Sequence, residues 1–401
     1  MKVAYFISVH DKPYGGHYHS LKTHVESLPD GISASIFVIG FVNSPIFDEL
    51  DVQFIHFNGS NVFSTLKSLC KLVSDDSYDI YHAYDEHAYL FVRLLSLIHP
   101  AIKFITKCGG PNPSRYFKYG PRRYFPCCAN LIVFSRENYQ FFKKKHYADV
   151  LKLISARVSP FDLNPDVASK LEGVISSHEI IFLRVTRICH YYKKTILDSI
   201  KMVLQLREDG VKCKLLVVGE IYDKELYQEL IEDYSEGLQI ITDKNLTLDA
   251  KQCIQIADFV IGTGRSLMEA MCLSKPVLAP VSNGNIPHLI SEKNLDEFVT
   301  YNFSERTLTS NSDENSYREL LEVCSSLTSY KRVSIETKKI FDRNFDVSIG
   351  TKQVVELYME NLEGKSSDFS FDLIVHFIRV LVLFLKRKRR MGDVVIGVRN
   401  V

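Results

Sequence analysis

Residues 257–279 read ADFVIGTGRSLMEAMCLSKPVLA. The pattern predicts a buried strand that ends at Ile261, a turn that contains Gly262 and Gly264, and a helix that begins around Arg265. Glycine lets the backbone approach a ligand closely, and the first turn of a helix offers free amides and positive potential to phosphate. The stretch therefore predicts a phosphate site where a buried strand meets the helix that follows it.

Glu269 lies one turn inside the predicted helix. Its carboxylate is placed to accept hydrogen bonds from a ribose diol beside the phosphate. We expect it to bind the nucleoside part of a ligand. A plain turn with a solvated glutamate is the alternative.

Short apolar runs alternate with amphipathic stretches along most of the chain. The runs that predict strands are Val3–Val9, Ala34–Ile39, Val52–Phe57, Asp79–His82, Lys103–Thr106, Asn130–Phe134, Ile180–Val185, Lys214–Val218, Leu238–Ile241, Asp258–Ile261 and Pro276–Ala279. Nearly continuous apolar strands separated by helices are typical of parallel sheets covered on both faces. The pattern predicts an α/β protein of two doubly wound domains in tandem, followed by C-terminal helices.

Composition excludes several classes of protein. The chain has 401 residues, of which 46% are hydrophobic and 24% charged, as in an ordinary globular protein. Lys plus Arg number 49 and Asp plus Glu 48, so no nucleic-acid partner is expected. The nine cysteines form no CxxC pair, and the N-terminus resembles a buried strand more than an export signal. We expect a cytoplasmic protein with reduced thiols.

The stretch 257–279 resembles the donor-site signature of the GT-B glycosyltransferases, in particular the retaining family 4. Gly262, Gly264, Glu269 and the Lys275–Val277 segment match that signature, whereas Ile261 stands where the family has an acid that contacts the donor sugar. The resemblance covers roughly residues 1 to 362. It implies two Rossmann-like domains facing a cleft, and transfer of a sugar from a nucleotide-diphosphate donor with retention.

The resemblance also implies a pair of cations on the donor diphosphate. The family has an arginine at the end of the first strand of the second domain, which Arg187 matches, and a lysine about five residues later. One extra residue in this loop leaves Lys193 and Lys194 both open, and we favour Lys193. Two fixed cations would stabilise the charge that develops as the glycosidic bond breaks. A solvated basic loop is the alternative.

In the first domain the resemblance places Gly15 and Gly16 beside the donor phosphate or the acceptor. His82 matches the first histidine of the family's Asp-x-x-His-x-His strand end and is predicted to be catalytic, while Tyr84 replaces the second. A core histidine is an equally good interpretation of His82. Two further segments are predicted to line the cleft: Lys107–Pro111 and Ser135–Glu137.

We expect the N-terminal, acceptor-side domain over residues 1–165 and the nucleotide-sugar donor domain over 166–345. A helix over 346–363 has its counterpart in the family helix that crosses back to the first domain, and 364–401 form an amphipathic, basic tail. No Asp-x-Asp triplet occurs, so neither a metal site nor a cofactor is expected.

These observations predict a glycosyltransferase that acts in surface polysaccharide or glycolipid synthesis, on a saccharide or a lipid-linked saccharide. Two alternatives remain. The chain could be a nucleotide-sugar epimerase of the same fold, or a catalytically silent partner subunit.

The tail carries a signal of its own. Phe371–Leu385 is an apolar stretch whose polar residues Asp372, His376 and Arg379 share one strip, and the basic run 386–390 follows it. Fifteen residues are too few to span a bilayer. A helix of this kind beside basic residues predicts peripheral attachment to an anionic membrane surface, on the inner face of the cell membrane. Packing on the protein's own surface or on a partner is the alternative.

Overall fold

A computed structural model describes residues 1–10, 13–74, 76–109, 125–144, 147–172, 179–234, 236–362 and 371–398, with side chains as far as residue 389. It divides into two compact units. Unit 1 comprises Met1–Arg157 and Val347–Val401, and unit 2 comprises Val158–Asp346. Gly110, Pro111 and residues 363–370, which include the start of the predicted tail at 364, lie outside the described residues.

The division of the chain differs from the predicted boundary at residue 165. Unit 2 begins at Val158 because this fully buried residue already pairs with Asp346 in a parallel β-bridge. The bridge ties the first and last residues of unit 2 together. Both the predicted returning helix and the tail belong to unit 1.

In the described part of unit 1, seven parallel strands form one sheet in the order β3-β2-β1-β4-β5-β6-β7. The strands are β1 (Lys2–Val9), β2 (Ser33–Gly40), β3 (Val52–His56), β4 (Ile80–Ala83), β5 (Ile102–Lys107), β6 (Leu131–Val133) and β7 (Leu151–Leu153). The helices are α1 (Gly16–Glu26), α2 (Val62–Ser74), α3 (Glu86–Leu95), α4 (Arg136–Lys143), α13 (Val347–Glu360) and α14 (Phe371–Val398).

The described part of unit 2 holds a six-stranded sheet in the order β10-β9-β8-β11-β12-β13, parallel except for its last strand. The strands are β8 (Ile180–Val185), β9 (Cys213–Val218), β10 (Leu238–Ile241), β11 (Phe259–Ile261), β12 (Val277–Ala279) and β13 (His288–Leu289). The helices are α5 (Pro165–Glu172), α6 (Lys193–Glu208), α7 (Lys224–Asp233), α8 (Lys244–Thr247), α9 (Arg265–Cys272), α10 (Leu295–Thr300), α11 (Asp313–Ser325) and α12 (Leu327–Asn344).

Each sheet has one point at which the strand order reverses. In unit 1 it lies between β1 and β4, and in unit 2 between β8 and β11. Helices that follow the two central strands diverge to opposite faces there and leave a crevice at the carboxyl ends of the strands. Residues directly after β1, β4, β8 and β11 are therefore the ones placed to bind ligands.

A buried polar network fastens α13 to the sheet of unit 1. The Tyr358 hydroxyl on α13 donates to the Tyr5 hydroxyl at 3.2 Å and hydrogen-bonds His82 Nδ1. Tyr5 in turn bonds His24 Nε2 at 3.0 Å, and His24 Nδ1 returns to Thr351 of α13 at 3.1 Å. Each of these side chains is nearly or completely buried. Because every member has a partner, the network specifies how α13 docks.

The C-terminal helix α14 packs on unit 1, and it continues through the basic run to Val398, well past the predicted end at Leu385. The polar strip faces the protein. Asp372 pairs with Arg93 at 2.8 Å, and His376 Nε2 donates to the Glu86 carbonyl oxygen at 2.7 Å. No helix in the described ranges is both long and apolar enough to cross a bilayer.

The buried network predicts a pH dependence of stability. Burial lowers the pKa of His24 to about 4 and that of His82 well below its usual value. Unfolding returns both to about 6.5, so between pH 6.5 and 4 the unfolded chain binds more protons. The free energy of unfolding of unit 1 should therefore be highest above pH 6.5 and should decrease as the pH falls towards 4. Urea unfolding at pH 7 and pH 5 measures this. His24→Gln should reduce the difference between the two pH values, and an unchanged difference would contradict the assignment.

Candidate functional site

The turn between β11 and α9 depends on its two glycines. Gly264 has φ +59°, in the left-handed region, and a Cβ there would lie 3.2 Å from Asn302 Nδ2. A Cβ on Gly262 would lie 2.6 Å from Ser266 Oγ. Other residues would strain or widen the turn. The two glycines therefore hold the backbone close to the first turn of α9.

Glu269 is less exposed than a residue on a solvated helix face. It is 9% exposed, and Oε1 accepts a hydrogen bond from Arg265 Nε at 2.7 Å, one helical turn earlier. The pair fixes the carboxylate at the start of α9. Removing Glu269 would leave a largely buried arginine without this partner, so its substitution carries a stability cost as well as any loss of binding.

Two helices of unit 2 begin at the reversal of strand order, and neither has a side-chain cap. The residues at their N-caps, Tyr192 for α6 and Gly264 for α9, accept no amide through a side chain, and neither first turn contains an acid. Helices α7, α11 and α12 of the same unit are capped by Asp223, Ser312 and Ser326. A 3₁₀ turn, His190–Tyr192, runs into α6, and the Lys193 amide already donates to the His190 carbonyl oxygen. Helix α9 therefore offers its first-turn amides, and α6 adds the positive end of its dipole at the same end of the sheet.

Arg187 follows β8 directly, on the other side of the crevice from Gly262. Its side chain is exposed, with the guanidinium carbon 5.8 Å from the ring centroid of Tyr222. Among the described residues it forms no ion pair. The Tyr222 ring orients the charge without neutralising it, so the guanidinium N–H groups can donate to an incoming anion.

The two lysines that open α6 point to different neighbours. Lys193 Nζ pairs with Glu229 of α7 at 2.7 Å, and α7 follows β9. Lys194 Nζ pairs with Asp198 at 2.6 Å and donates to the Gly284 carbonyl oxygen at 3.1 Å, in the loop after β12. Because β11 lies between β8 and β12, Lys194 leans towards the glycine turn, and Lys193 leans away from it.

Arg184 is a residue that the sequence analysis did not single out. It is fully buried on β8 and donates to Thr195 Oγ1 at 2.6 Å and Ser199 Oγ at 3.0 Å, both on α6. Its Nε is buried without a partner in the described residues, and burial lowers its pKa to about 10. An arginine inside an otherwise apolar strand was the available signal. It holds the first turns of α6 at the end of β8.

Ile261 stands where the family has a sugar-binding acid. It is the last residue of β11, completely buried, and lies beside Arg184 in register. Its side chain belongs to an apolar cluster between the sheet and α6. The described site therefore contains no acid at this point.

His82, predicted to be catalytic, lies in the core of unit 1 in this structure. The ring is completely buried, Nε2 bonds Thr106 Oγ1 at 2.8 Å, and Nδ1 bonds Tyr358. Burial first, and the nearby His24 second, hold its pKa well below the usual value. It is a structural member of the α13 network, and Tyr84 beside it is buried too.

Gly15 and Gly16 lie at the start of α1, in the connection from β1. Gly15 is the N-cap, has extended backbone and supplies no side-chain cap. A Cβ on Gly15 would meet the His17 ring at 3.0 Å.

A second polar cluster occupies the reversal point of unit 1. His10 after β1 hydrogen-bonds His87 at 3.1 Å, and Asp85 after β4 caps α3 and accepts from Ser8 Oγ at 2.8 Å. Phe384 of α14 covers the cluster, with its ring centroid 4.5 Å from that of His10. Burial lowers the pKa of both histidines. Phe384 thus covers the described part of the crevice beside these two histidines. Among the residues described, no group of three metal-ligating side chains is arranged to hold an ion.

Comparison with solved structures identifies the fold. An Anabaena protein, HepE, solved with UDP and glucose, is 16% identical with a TM-score of 0.65 over 90% of this chain and 100% of its own. A Rickettsia africae glycosyltransferase is 16% identical with a TM-score of 0.63, covering 91% and 100%. A Neisseria meningitidis UDP-GlcNAc 2-epimerase solved with UDP-GlcNAc is 10% identical with a TM-score of 0.53, covering 90% and 100%.

No family model matches the sequence, and no curated protein matches it significantly. The structural neighbours nevertheless include GT-B glycosyltransferases, and the chain has their α/β fold of two Rossmann-like domains. The predicted fold class is confirmed. Assignment to the retaining family 4 stays a prediction.

The glycine turn gives a direct test. Gly264→Ala should destabilise unit 2 by about 1–2 kcal/mol for its left-handed backbone, with an added cost from Asn302. Gly210→Ala is the matched control, because Gly210 has φ +85° and open space around its would-be Cβ. Thermal unfolding compares the two. We expect only Gly264→Ala to lower nucleotide affinity as well, and equal effects of both variants on that affinity would contradict the site.

Proposed function

We propose that the protein transfers a sugar from a nucleoside-diphosphate sugar to an acceptor hydroxyl. The observation that carries this proposal is the convergence at one end of unit 2. The features that converge there are an arginine without an ion pair among the described residues, a lysine, two helix N-termini without side-chain caps, and an anchored glutamate. A diphosphate next to a ribose matches this arrangement of charge and acceptor groups.

In the proposed complex the ribose hydroxyls donate to the second carboxylate oxygen of Glu269. The diphosphate lies between Arg187 and the first turn of α9. We propose Lys194, which leans towards that turn, as the second cation, whereas Lys193 is the lysine favoured by the resemblance. Since the Lys193–Glu229 pair is about one-third exposed on both sides, it exchanges with a ligand at little cost.

The chemistry follows from the charges. The bond between the anomeric carbon and the diphosphate oxygen breaks, its electron pair stays on the diphosphate, and the sugar becomes oxocarbenium-like. Arg187, the lysine and the helix amides stabilise the departing charge. The acceptor oxygen attacks the same face and passes its proton to the leaving phosphate. Retention is adopted from the resemblance, and the proposed reaction needs neither a metal nor a cofactor.

For the acceptor we propose a saccharide, free or lipid-linked, in surface polysaccharide or glycolipid synthesis. The cytoplasm, at the inner face of the cell membrane, is the corresponding location. What supports a lipid-linked acceptor is the outward apolar face of α14. UDP is the first nucleotide to test, because solved neighbours bind UDP and UDP-glucose.

An epimerase shares this fold, so the fold alone does not choose the reaction. The crevice of unit 2 holds cations and one paired glutamate, and the His10 cluster in unit 1 is covered by Phe384. A silent subunit would agree with the buried Ile261. Sugar transfer accounts best for an exposed arginine that forms no ion pair among the described residues.

Removing the cations should slow transfer. Arg187→Ala should cost on the order of 10²-fold in rate, the scale for losing one transition-state donor, and Arg187→Lys should recover only part of it. Arg318→Ala, an exposed arginine on α11, is the control. Initial rates with a nucleotide sugar measure this. Unchanged turnover in Arg187→Ala would refute its role.

The two lysines can be separated in the same assay. We expect Lys194→Ala to lower the rate more than Lys193→Ala, because only Lys194 leans towards β11. A larger loss of rate in Lys193→Ala would instead favour Lys193, the lysine favoured by the resemblance, as the second cation.

Glu269→Gln should weaken nucleoside-diphosphate binding by about 10-fold or more, the scale of one charged hydrogen bond. The amide keeps the side chain's volume, so the fold should survive. Glu314→Gln is the matched control, since Glu314 pairs with Arg318 at 2.9 Å in the same four-residue spacing. Calorimetric titration with UDP, GDP and ADP measures the change. Equal affinity in wild type and Glu269→Gln would exclude the ribose contact.

Activity should persist in EDTA, since the proposed site neutralises the diphosphate with side chains and amides. Complete loss in EDTA, reversed by magnesium or manganese, would contradict the proposed chemistry.

A further inference from the structure

Helix α14 is apolar on two opposite faces. On the inner face Leu373, Val380 and Phe384 are buried in the core of unit 1. Asp372 and His376 also face inward and bind Arg93 and Glu86. The polar side chains Asp372 and His376, which in an isolated amphipathic helix would face water, therefore contact the protein.

The outer face is an unpartnered apolar stripe. Phe371 is 78% exposed, Ile374 43% and Ile378 53%. Positions 382 and 385, the next on this face at helical spacing, are Val and Leu, both half-buried. Spacings of three and four residues keep all five on one side of the helix. Helices with two apolar faces usually cover both of them.

Basic side chains stand at the end of this stripe. Lys386, Lys388 and Arg389 are exposed, and Arg389 continues the line of Ile378 and Leu385. Between 371 and 389 the only acid is Asp372, which is paired with Arg93. The exposed surface of α14 is thus apolar along its length and positive at one end.

Helix α2 presents further apolar and basic side chains next to the basic end of α14. Lys388 Nζ donates to Ser60 Oγ at 3.3 Å, just before α2 begins. The exposed side of α2 presents Phe63, which is 87% exposed, with Lys67 and Lys71 at four-residue spacing. No acid occurs in α2. A protein partner would need acids to match five cations on two helices, whereas an anionic bilayer provides both apolar depth and negative charge.

We infer that the outer face of α14 is a membrane-docking surface that lies in the plane of a bilayer with anionic headgroups. The aliphatic and aromatic side chains enter the boundary of the acyl chains, and the basic side chains contact the headgroups. Because the inner face of α14 is already packed in unit 1, the helix is folded before the protein meets the membrane. The inference names the surface for the membrane location in the proposed function, but its test does not use sugar transfer.

Point variants are better than truncation here, because removing α14 would uncover the core around Phe57 and Phe91. The full chain is sedimented with vesicles of phosphatidylcholine and phosphatidylglycerol, and with phosphatidylcholine alone. Neutralising the three cations in Lys386→Gln/Lys388→Gln/Arg389→Gln should weaken binding on the order of 100-fold, at about fivefold for each charge. Ile374→Asp/Ile378→Asp should abolish it.

Helix α12 of unit 2 provides matched controls. Lys331→Gln/Arg332→Gln/Lys339→Gln makes the same change in charge on exposed residues, and Ile335→Asp alters an isoleucine that is 58% exposed. Circular dichroism and thermal unfolding confirm that each variant is folded. We expect the controls to bind anionic vesicles like wild type, and raised salt to release the wild-type chain.

Three results would overturn the inference. The first is equal loss of binding in the α12 and α14 variants, and the second is no preference for anionic vesicles. The third is a stable wild-type oligomer that becomes monomeric in Ile374→Asp/Ile378→Asp while vesicles fail to bind, which would assign the stripe to a second copy of the chain. None of them would affect the transferase assays, so the two proposals fail separately.

Discussion

The structure of unit 1 depends on one buried chain of hydrogen bonds, which runs from Thr106 through His82, Tyr358, Tyr5 and His24 to Thr351. It joins a helix near the end of the chain to strands and a helix near its beginning. Unpaired polar groups at this depth would each cost about 1–3 kcal/mol, so the network accepts one arrangement of α13. Helix α14 packs in a separate apolar cluster of unit 1, around Phe57 and Phe91, and the chain enters and leaves unit 2 at the Val158–Asp346 bridge.

The reversal of strand order then decides where chemistry can occur, and the two units use it differently. In unit 1 Phe384 covers the His10–His87 pair, which follows β1 and β4. In unit 2 the corresponding place is left with positive charge, because Arg187 stands beside the uncapped starts of α6 and α9. Arg184, buried beneath them, keeps α6 in register with β8. The contrast explains why the donor nucleotide is proposed to bind unit 2.

Local pattern was enough to predict most of the fold, because buried parallel strands are short apolar runs bounded by polar residues. The predicted strands Ile180–Val185 and Leu238–Ile241 coincide with β8 and β10. The two-residue antiparallel strand β13 was missed, since so short a run has no periodicity. Likewise the glycine turn and Glu269 were predicted from spacing. The partner of His82 could not be, because Tyr358 lies 276 residues away. Periodicity also showed that α14 has a polar strip, but not which side faces the protein.

Hydrogen exchange measured by mass spectrometry, with and without nucleoside diphosphate, tests the central claim most directly. A nucleotide held by the two uncapped helices must protect their first amides. With a saturating nucleotide among UDP, GDP and ADP, the account predicts slower exchange in residues 187–195 and 262–272 of unit 2, while the strands of unit 1 stay unchanged. Demonstrated nucleotide binding without protection in either segment, or with protection confined to unit 1, would contradict it.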